Sequence, residues 1–456
     1  MSLTELRILS PTAILGYGFP LSSFEVGLER EPHVIAVDAG STDPGPYYLG
    51  SGDSFTQRSA VKRDLRYLIE AALDRKIPLI IGTAGGSGAR PHVDWNLAII
   101  DELLEELKRT ARIAVIYSDI DREFLIEELQ AGKVQSLGPA GELTAEDILA
   151  STNLVAQMGL EPIMQALEEG AEIILAGRAY DPTVFAALPV LKGYDMALSL
   201  HMGKILECAA IAANPGSGSD CLFGTLAGDH FVLEALSPER ECTRISVAAH
   251  TLYEKSDPYS LPGPGGSLDL RETTFEQLPG GRVKVAGTKF VPTDAYFLKL
   301  EGASLIGYRT ISIAGVRDPI MIGQIDEVIA RVKERVADNF QELKDYQLHV
   351  HCYGKNGVMG QLEPHPEPAH ELGLVIEAVA RTQEIADTIC SFARSTMLHY
   401  GYPGRKSTAG NLAFPYSPSD VSAGAVYKFN VYHLLEVDDP KSLFPIKIGR
   451  RGYEIR

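Results

Sequence analysis

The chain begins with a regular alternation of short apolar runs and longer amphipathic stretches. The runs are bounded by Gly, Pro or polar residues, which is typical of buried strands; they are Ala13–Gly16, Val34–Asp38, Pro78–Gly82, Ile113–Tyr117 and Glu172–Ala176. Apolar residues recur at helical spacing between them, which predicts helices at Phe55–Lys76, Asp94–Thr110, Asp121–Gly132 and Leu154–Gly170. A short helix after Asp181 and a further helix at Met196–Ala213 follow the last strand. Strands alternating with helices indicate an α/β fold with a mostly parallel, Rossmann-like N-terminal sheet flanked by helices.

The pattern changes near Gly216 and predicts an α+β C-terminal half. The Gly/Pro-rich segment Ser256–Ser267 is typical of a long exposed loop or lid. The predicted strands are Val283–Val291, Ala295–Leu300, Ser304–Ile313, Gln347–Tyr353 and Tyr427–Leu435; the predicted helices are Gln324–Asn339 and Glu371–Leu398. A basic tail, Lys447–Arg456, follows. We expect a parallel α/β domain at 1–215, a mixed segment at 216–345 and a C-terminal α+β segment at 346–456.

Composition narrows the class of partner. The 456 residues carry a formal net charge of −18, which argues against nucleic acid or an anionic membrane as the main partner. No apolar stretch predicts a membrane-spanning helix, and the N-terminus has no secretory pattern. The five cysteines are widely spaced and form no CxxC pair, as expected of cytoplasmic thiols. We therefore expect a cytoplasmic protein, and a homo-oligomer is the default for an enzyme of this size.

The residues that follow each predicted strand are polar, Gly-rich or both. In open parallel sheets ligands bind outside the carboxyl ends of the strands, because loops and helix N-termini converge there. The five segments are Gly16–Pro20 with Tyr17, Asp38–Pro46, Gly82–His92, Ser118–Asp119 and Gly177–Pro182. We expect them to line one polar pocket.

The segment Gly82–His92 predicts an anion site. It joins a strand to a helix, so its backbone N–H groups around Gly85 and Gly86 can hold a carboxylate or one phosphate, with Ser87 and Arg90 as further donors. The alternative is a turn that needs glycine only for positive φ. The dinucleotide fingerprint is missing, which makes NAD(P) an unexpected cofactor.

The segments Asp38–Pro46 and Gly177–Pro182 supply carboxylates and a guanidinium. Asp38, Ser41, Thr42 and Asp43 are candidates for binding a cation, orienting a substrate hydroxyl or acting as a base. The alternative is an Asx-turn capped by Asp43. Arg178 can hold a carboxylate in two hydrogen bonds, beside Tyr180, while Asp181 either joins the site or pairs with Arg178.

Two further groups offer acid–base chemistry. His201, Lys204 and Cys208 fall on one face of the predicted helix, and Glu207 stands beside Lys204. Such a row is also typical of a solvated or interface face.

His250 and Glu254 are four residues apart, one turn if helical, so they predict either a pair of metal ligands or a His oriented by a carboxylate. A divalent metal is a possible cofactor, because Asp38, Asp43, Glu207 and His250 offer oxygen and imidazole ligands.

Five motifs together resemble the AtuA family, named for acyclic terpene utilisation. They are GYGFP (Gly16–Pro20), DAGSTDPGPYYLGSG (Asp38–Gly52), GTAGGSGARPH (Gly82–His92), GRAYDPTVF (Gly177–Phe185) and HMGKILECAA (His201–Ala210). The resemblance extends from about Thr12 to about Leu435. It implies an enzymatic role in the catabolism of branched acids through CoA thioesters, and it assigns no catalytic residue.

These observations favour an enzyme that acts on a small or CoA-linked carboxylic acid by proton abstraction with hydration or elimination of water. Asp38, Glu207 or His250 would be the base, and Lys204 or Tyr180 the acid. The alternative is a non-catalytic ligand-binding or scaffolding subunit of a catabolic complex. A third class, an NAD(P)-dependent dehydrogenase, is weakened by the missing fingerprint.

Overall fold

The computed structural model describes residues 4–367 and 369–453. Within these residues the strands are β1 (Leu6–Ser10), β2 (Val34–Asp38), β3 (Leu79–Gly82), β4 (Thr110–Ile116), β5 (Val134–Ser136), β6 (Asn153–Ala156), β7 (Ile173–Ala176), β8 (Leu222–Leu226), β9 (His230–Ala235), β10 (Ser260–Gly263), β11 (Gly266–Asp269), β12 (Thr274–Leu278), β13 (Arg282–Ala286), β14 (Lys289–Pro292), β15 (Tyr296–Val316), β16 (Tyr346–Tyr353), β17 (Leu372–Ala380), β18 (Asp420–Val437) and β19 (Ile446–Gly452). The α-helices are α1 (Leu21–Glu29), α2 (Pro46–Ser51), α3 (Arg58–Arg75), α4 (Arg90–Leu107), α5 (Arg122–Gln130), α6 (Ala145–Ala150), α7 (Glu161–Glu168), α8 (Thr183–Leu191), α9 (Met196–Leu206), α10 (Arg244–Thr251), α11 (Pro319–Gly323), α12 (Ile325–Asn339) and α13 (Gln383–His399).

A large mixed sheet organises the first compact unit, which comprises the described residues up to Ser304 and from Phe429 on. In the described part of the chain it has ten strands in the order β12-β13-β9-β8-β1-β2-β3-β7-β4-β19. The central strands β1, β2, β3, β7 and β4 pair in parallel, and the flanking strands pair antiparallel. The fold is therefore mixed α/β with mostly parallel N-terminal strands.

Both faces of the parallel strands are buried. Successive strand residues point to opposite faces, so Ile80 and Ile174 join one apolar core while Ile81 and Leu175 join another. Helices α7, α8 and α9 pack on the first side, and α3 and α4 on the second. This explains why the central strands consist of almost continuous apolar residues, as parallel strands covered on both faces do.

The second compact unit, Leu305–Lys428, has its own core. Its elements follow the order β–α–α–β–β–α–β, beginning in β15 and ending in β18, and β17 pairs antiparallel with both β15 and β16. The core contains apolar residues of helices α12 and α13 and of these strands. The predicted boundary at 345/346 falls inside this unit, and the one at 215/216 falls inside the first.

Several sequence predictions are confirmed by the element bounds. Strand Val34–Asp38 is as predicted, helix Phe55–Lys76 is observed as Arg58–Arg75, and helix Gln324–Asn339 is observed as Ile325–Asn339. The first strand is wrong: it is Leu6–Ser10, and Ala13–Gly16 forms a turn.

Strand pairing explains the other incorrect predictions in the first unit. The predicted helix Leu154–Gly170 begins with β6, which pairs with β15, and only Glu161–Glu168 is helical. The predicted loop Ser256–Ser267 contains the hairpin β10–β11. The basic tail Lys447–Arg456 contributes β19, paired with β4 at the edge of the large sheet; its last three residues lie outside the described part.

The predicted helix Glu371–Leu398 is also wrong, because its first part is strand β17. Leu372, Leu374 and Ile376 alternate with more exposed positions, as expected of a half-buried strand. Thr382 then accepts a hydrogen bond from the backbone N–H of Ile385 and begins α13.

No helix among the described residues is long and apolar enough to span a membrane.

Candidate active site

Three of the predicted strand-end segments lie side by side. Asp38 at the end of β2 is the register partner of Gly82 at the end of β3. Beyond the strands, the backbone N–H of Ala39 donates to the Gly82 carbonyl at 2.9 Å, and that of Thr83 donates to the Gly177 carbonyl at 3.0 Å. The loops after β2, β3 and β7 therefore meet at one edge of the sheet, as the parallel arrangement predicts.

Glycines allow these loops to approach closely. A Cβ on Gly40, where φ is +145°, would lie 2.5 Å from the Cα of Gly86, and a Cβ on Gly88, where φ is +70°, would lie 2.1 Å from the backbone nitrogen of Arg178. Loop packing thus accounts for glycine at these positions. Ser87 is fully buried between them, and its Oγ has no hydrogen-bond partner among the described residues. Anion binding by this segment stays a prediction.

Arg178 lies at the centre of a buried ion-pair network. Its Nε donates to Oε2 of Glu301 at 2.6 Å, and its Nη1 donates to Asp181 at 3.0 Å. Glu301 also accepts from Thr42 Oγ1 at 2.7 Å and pairs with Lys299 at 2.8 Å. Burial raises the pKa of Glu301, but Arg178 and Lys299 outweigh it and lower the pKa to about 2. Thr42 and Arg178 therefore hold the site together.

Glu301 is absent from the sequence predictions. It lies inside the long strand β15, in the gap between the two shorter strands predicted at Ala295–Leu300 and Ser304–Ile313. The sequence does contain a sign of this role, because Glu301 stands between Leu300 and Gly302 in an otherwise apolar strand. A glutamate is almost never fully buried unless it is paired, so a buried position there predicts a partner.

Lys204 and Glu207 form a second buried ion pair. Lys204 Nζ donates to Oε1 of Glu207 and lies 3.4 Å from Oε2 of Glu254. Burial lowers the pKa of Lys204, but Glu207 and Asp181 outweigh burial and raise it. Burial raises the pKa of Glu207 to about 8, against the attraction of Lys204. Oε2 of Glu207 is buried and has no partner among the described residues, so it is free to accept a proton.

Asp38 is a third buried carboxyl in the same electrostatic environment. It is 5% exposed, and its Oδ1 accepts a weak hydrogen bond of 3.4 Å from the backbone N–H of Gly40. Burial, followed by the charges of Asp181 and Glu207, raises its pKa well above the ordinary range. Its protonated form is therefore favoured relative to that of an ordinary aspartate.

His250, Tyr180 and Lys255 also have shifted pKa values and interact electrostatically with the Lys204–Glu207 pair. Burial and Lys204 lower the pKa of His250 to about 4, and its buried Nε2 has no partner in the described part of the chain. Burial raises the pKa of the Tyr180 hydroxyl, which is also influenced by Lys204 and Glu207. Burial and Lys204 lower the pKa of Lys255 to about 8. His250, Tyr180 and Lys255 are thus electrostatically connected to the Lys204–Glu207 pair.

Some predicted residues lie away from this cluster. Tyr17 is 53% exposed, and Asp43 is exposed and accepts a hydrogen bond of 2.9 Å from the Ser41 hydroxyl. The Arg90 guanidinium stacks over Tyr117, 4.2 Å from the ring centroid.

The two predicted helical arrangements need correction. Helix α9 ends at Leu206, before Cys208, and His201 is bound to Thr288 at 2.7 Å and Thr251 at 3.1 Å. Helix α10 ends at Thr251, so Glu254 does not share a helical turn with His250; it contacts Lys204 instead.

The predicted divalent metal has no clear ligand set among the described residues. Within residues 4–367 and 369–453, no three or more His, Cys, Asp or Glu side chains are grouped so that they could hold a metal ion.

The comparisons place the chain in a family. A family model described as acyclic terpene utilisation family protein AtuA matches residues 55–217 and 227–422. Three of the five motifs that suggested this family lie inside the matched residues, and the two most N-terminal motifs precede them. No curated protein and no solved structure matches the chain. Because the model covers most of the sequence, this chain belongs to the acyclic terpene utilisation (AtuA) family.

Proposed function

We propose that this protein is an acid–base enzyme of the hydratase or hydro-lyase type, acting on a small or CoA-linked carboxylic acid. The observation that carries the proposal is the pair of buried carboxyls Asp38 and Glu207. Burial raises the pKa of Asp38 well above its ordinary range and that of Glu207 to about 8, and Glu207 pairs with Lys204. Titratable groups shifted toward the working pH are suited to proton transfer.

The environments of the two carboxyls divide their roles. Glu207 can release its proton near pH 8, and its unpaired Oε2 then takes a proton from the carbon next to the substrate carboxyl or thioester. The electron pair of that C–H bond forms the C=C bond, and the C–O bond at the neighbouring carbon breaks. The hydroxyl group leaves as water with the proton of Asp38. Hydration is the reverse reaction.

Substrate binding falls to groups that remain free. Arg178 is already paired with Glu301 and Asp181. The Lys255 ammonium, which forms no ion pair among the described residues, is suited to a carboxylate or thioester oxygen.

The test is proton exchange in D2O, followed by NMR over a panel of 2- and 3-hydroxy acids and their CoA thioesters. We expect deuterium to enter next to the carbonyl of at least one compound. Asp38→Asn and Glu207→Gln should each slow this by about 100-fold or more. The matched control is Asp229→Asn, which changes an exposed carboxylate and should leave the rate unchanged.

Two results would contradict the proposal. Exchange that survives both substitutions would remove these carboxyls from the mechanism. Saturable binding of acids with no exchange of any compound would favour the non-catalytic ligand-binding or scaffolding subunit.

The proposal also covers the cellular location, the cofactor and the oligomeric state of the enzyme. The five cysteines are free thiols in the structure, which supports a reducing, cytoplasmic location. The parallel strands with helices on both faces support a Rossmann-like domain. We also propose that the enzyme does not use NAD(P), because the dinucleotide fingerprint is missing, and that it is a homo-oligomer. Light scattering of the purified protein tests the oligomer, and unchanged melting with NAD(P) tests the cofactor.

A further inference from the structure

A largely apolar cavity of about 160 Å³ lies in the first unit beside the candidate site. Its walls include the side chains of Leu160, Leu200, Leu261, Leu268 and Phe290. Leu160, Leu200 and Leu268 are each at most 6% exposed, so much of the cavity surface is held by the core. The proposed proton transfers use none of these side chains.

Tyr180 connects this cavity to the acid–base groups. Its ring lines the cavity, while its hydroxyl is influenced by the charges of Lys204, Glu207 and Asp181. A ligand in the cavity would therefore lie next to the proposed reacting groups.

Helix α9 makes the same connection independently. Met196, Leu200 and Lys204 are spaced four residues apart, which places them on one helix face at successive turns. Met196 and Leu200 line the cavity, and Lys204 pairs with Glu207 one turn further on. Met196 is 37% exposed, so the row runs from solvent along the cavity to the proposed acid–base pair.

One wall of the cavity comes from the small sheet β10-β11-β14, which packs on the ring of Tyr180 and contributes Phe290 from its own strand β14. A Cβ on Gly263 would lie 2.7 Å from Cε1 of Tyr180, and a Cβ on Gly266 would lie 2.5 Å from Cζ of Phe290. Two polar residues of the lining, Tyr296 and Glu161, bond to each other, since the Tyr296 hydroxyl donates to Glu161 at 2.8 Å. The cavity therefore offers shape and apolar contact rather than an unpaired charge.

We propose that this cavity is a specificity subsite that binds the unreactive hydrocarbon part of the substrate, up to about six carbon atoms. An apolar protein cavity of ~150 Å³ accommodates a benzene molecule, which sets this size limit. The hydrocarbon lies along Met196 and Leu200, and the polar end lies next to Tyr180 and the Lys204–Glu207 pair. The position of the polar end rests on the proposed function.

The experiment measures the Kd of straight-chain carboxylic acids from acetate to decanoate by calorimetry. We expect the Kd to fall by up to about fourfold with each added carbon, since each buried methylene contributes up to ~0.8 kcal/mol. The trend should level off at about six or seven carbons. Leu200→Phe, which fills the cavity, should move this limit two or three carbons lower, and Leu261→Ala should move it higher.

The matched control is Leu191→Phe. Leu191 lines a different cavity together with His33 and Leu73, so its substitution should leave the chain-length series unchanged. Thermal unfolding of each variant checks that it is folded. A folded Leu261→Ala variant keeps the test valid if Leu200→Phe does not fold.

A Kd independent of chain length would overturn the subsite, as would equal effects of Leu200→Phe and Leu191→Phe. These outcomes are distinct from failure of the proposed function. If the Kd depends on chain length but no proton exchange occurs, the subsite is supported and the proposed enzymatic function is refuted. If proton exchange occurs but the Kd does not depend on chain length, the function is supported and the subsite is refuted.

Discussion

The guanidinium of Arg178 donates through Nε to Glu301 at 2.6 Å, and both side chains are almost completely buried. The two residues are 123 positions apart in the chain. Their pairing turns a residue expected to hold a substrate carboxylate into one that holds the loops of the site in place. The consequences for stability and catalysis can be measured.

Replacing Glu301 should destabilise the protein strongly. Glu301→Gln leaves the buried charge of Arg178 without its main counter-charge and also removes the carboxylate partner of Lys299. Breaking a buried pair on one side typically costs about 3–5 kcal/mol, and urea unfolding measures it. Glu276→Gln is the control, because its 3.8 Å contact with Lys284 is exposed and should contribute less than ~1 kcal/mol. Equal losses in the two variants would refute the role of Glu301.

The buried His201 should make the protein sensitive to mild acid. Burial lowers its folded-state pKa from 6.5 to about 3, so between these pH values the unfolded state binds more protons. Stability should therefore decrease as pH falls below about 6.5, by up to roughly 1.4 kcal/mol per pH unit from this group. The measurement is denaturant unfolding at several pH values, for the wild type and His201→Gln. A slope that does not become shallower in His201→Gln would contradict this prediction.

The rate of the proposed reaction should rise with pH through about 8, as Glu207 loses its proton and becomes a base. Plots of kcat/KM against pH test this with the substrate that the exchange panel identifies. The residual activity of Glu207→Gln should lack this rise. If the rise persists in that variant, another group is the base.

Gly88 should not tolerate a side chain. In Gly88→Ala the new Cβ meets the Arg178 backbone nitrogen at 2.1 Å, in addition to the strain of a φ of +70°. Gly132→Ala is a matched control, since φ there is +76° and nothing lies within 4 Å. The control should lose about 1–2 kcal/mol from backbone strain alone, and Gly88→Ala clearly more. Chemical denaturation of both variants decides; similar losses would mean that the loops can move apart.

The sequence alone determined the parallel core and the meeting of three strand-end loops at one edge of it. Strands such as Val34–Asp38 and helices such as Arg58–Arg75 are encoded by local periodicity, because burial repeats with the period of the element. The convergence of Asp38, Gly82 and Gly177 follows from the parallel arrangement of their strands. The family motifs pointed to the same family as the model match.

The tertiary structure alone decided which charges pair and which stay free. Nothing local distinguishes Glu301 as the partner of Arg178, since β15 brings it there from a distant part of the chain. Likewise, β17 is a strand because β15 and β16 supply its hydrogen-bond partners. The pKa values of Asp38 and Glu207 depend on burial and on neighbouring charges, which exist only once the chain is folded.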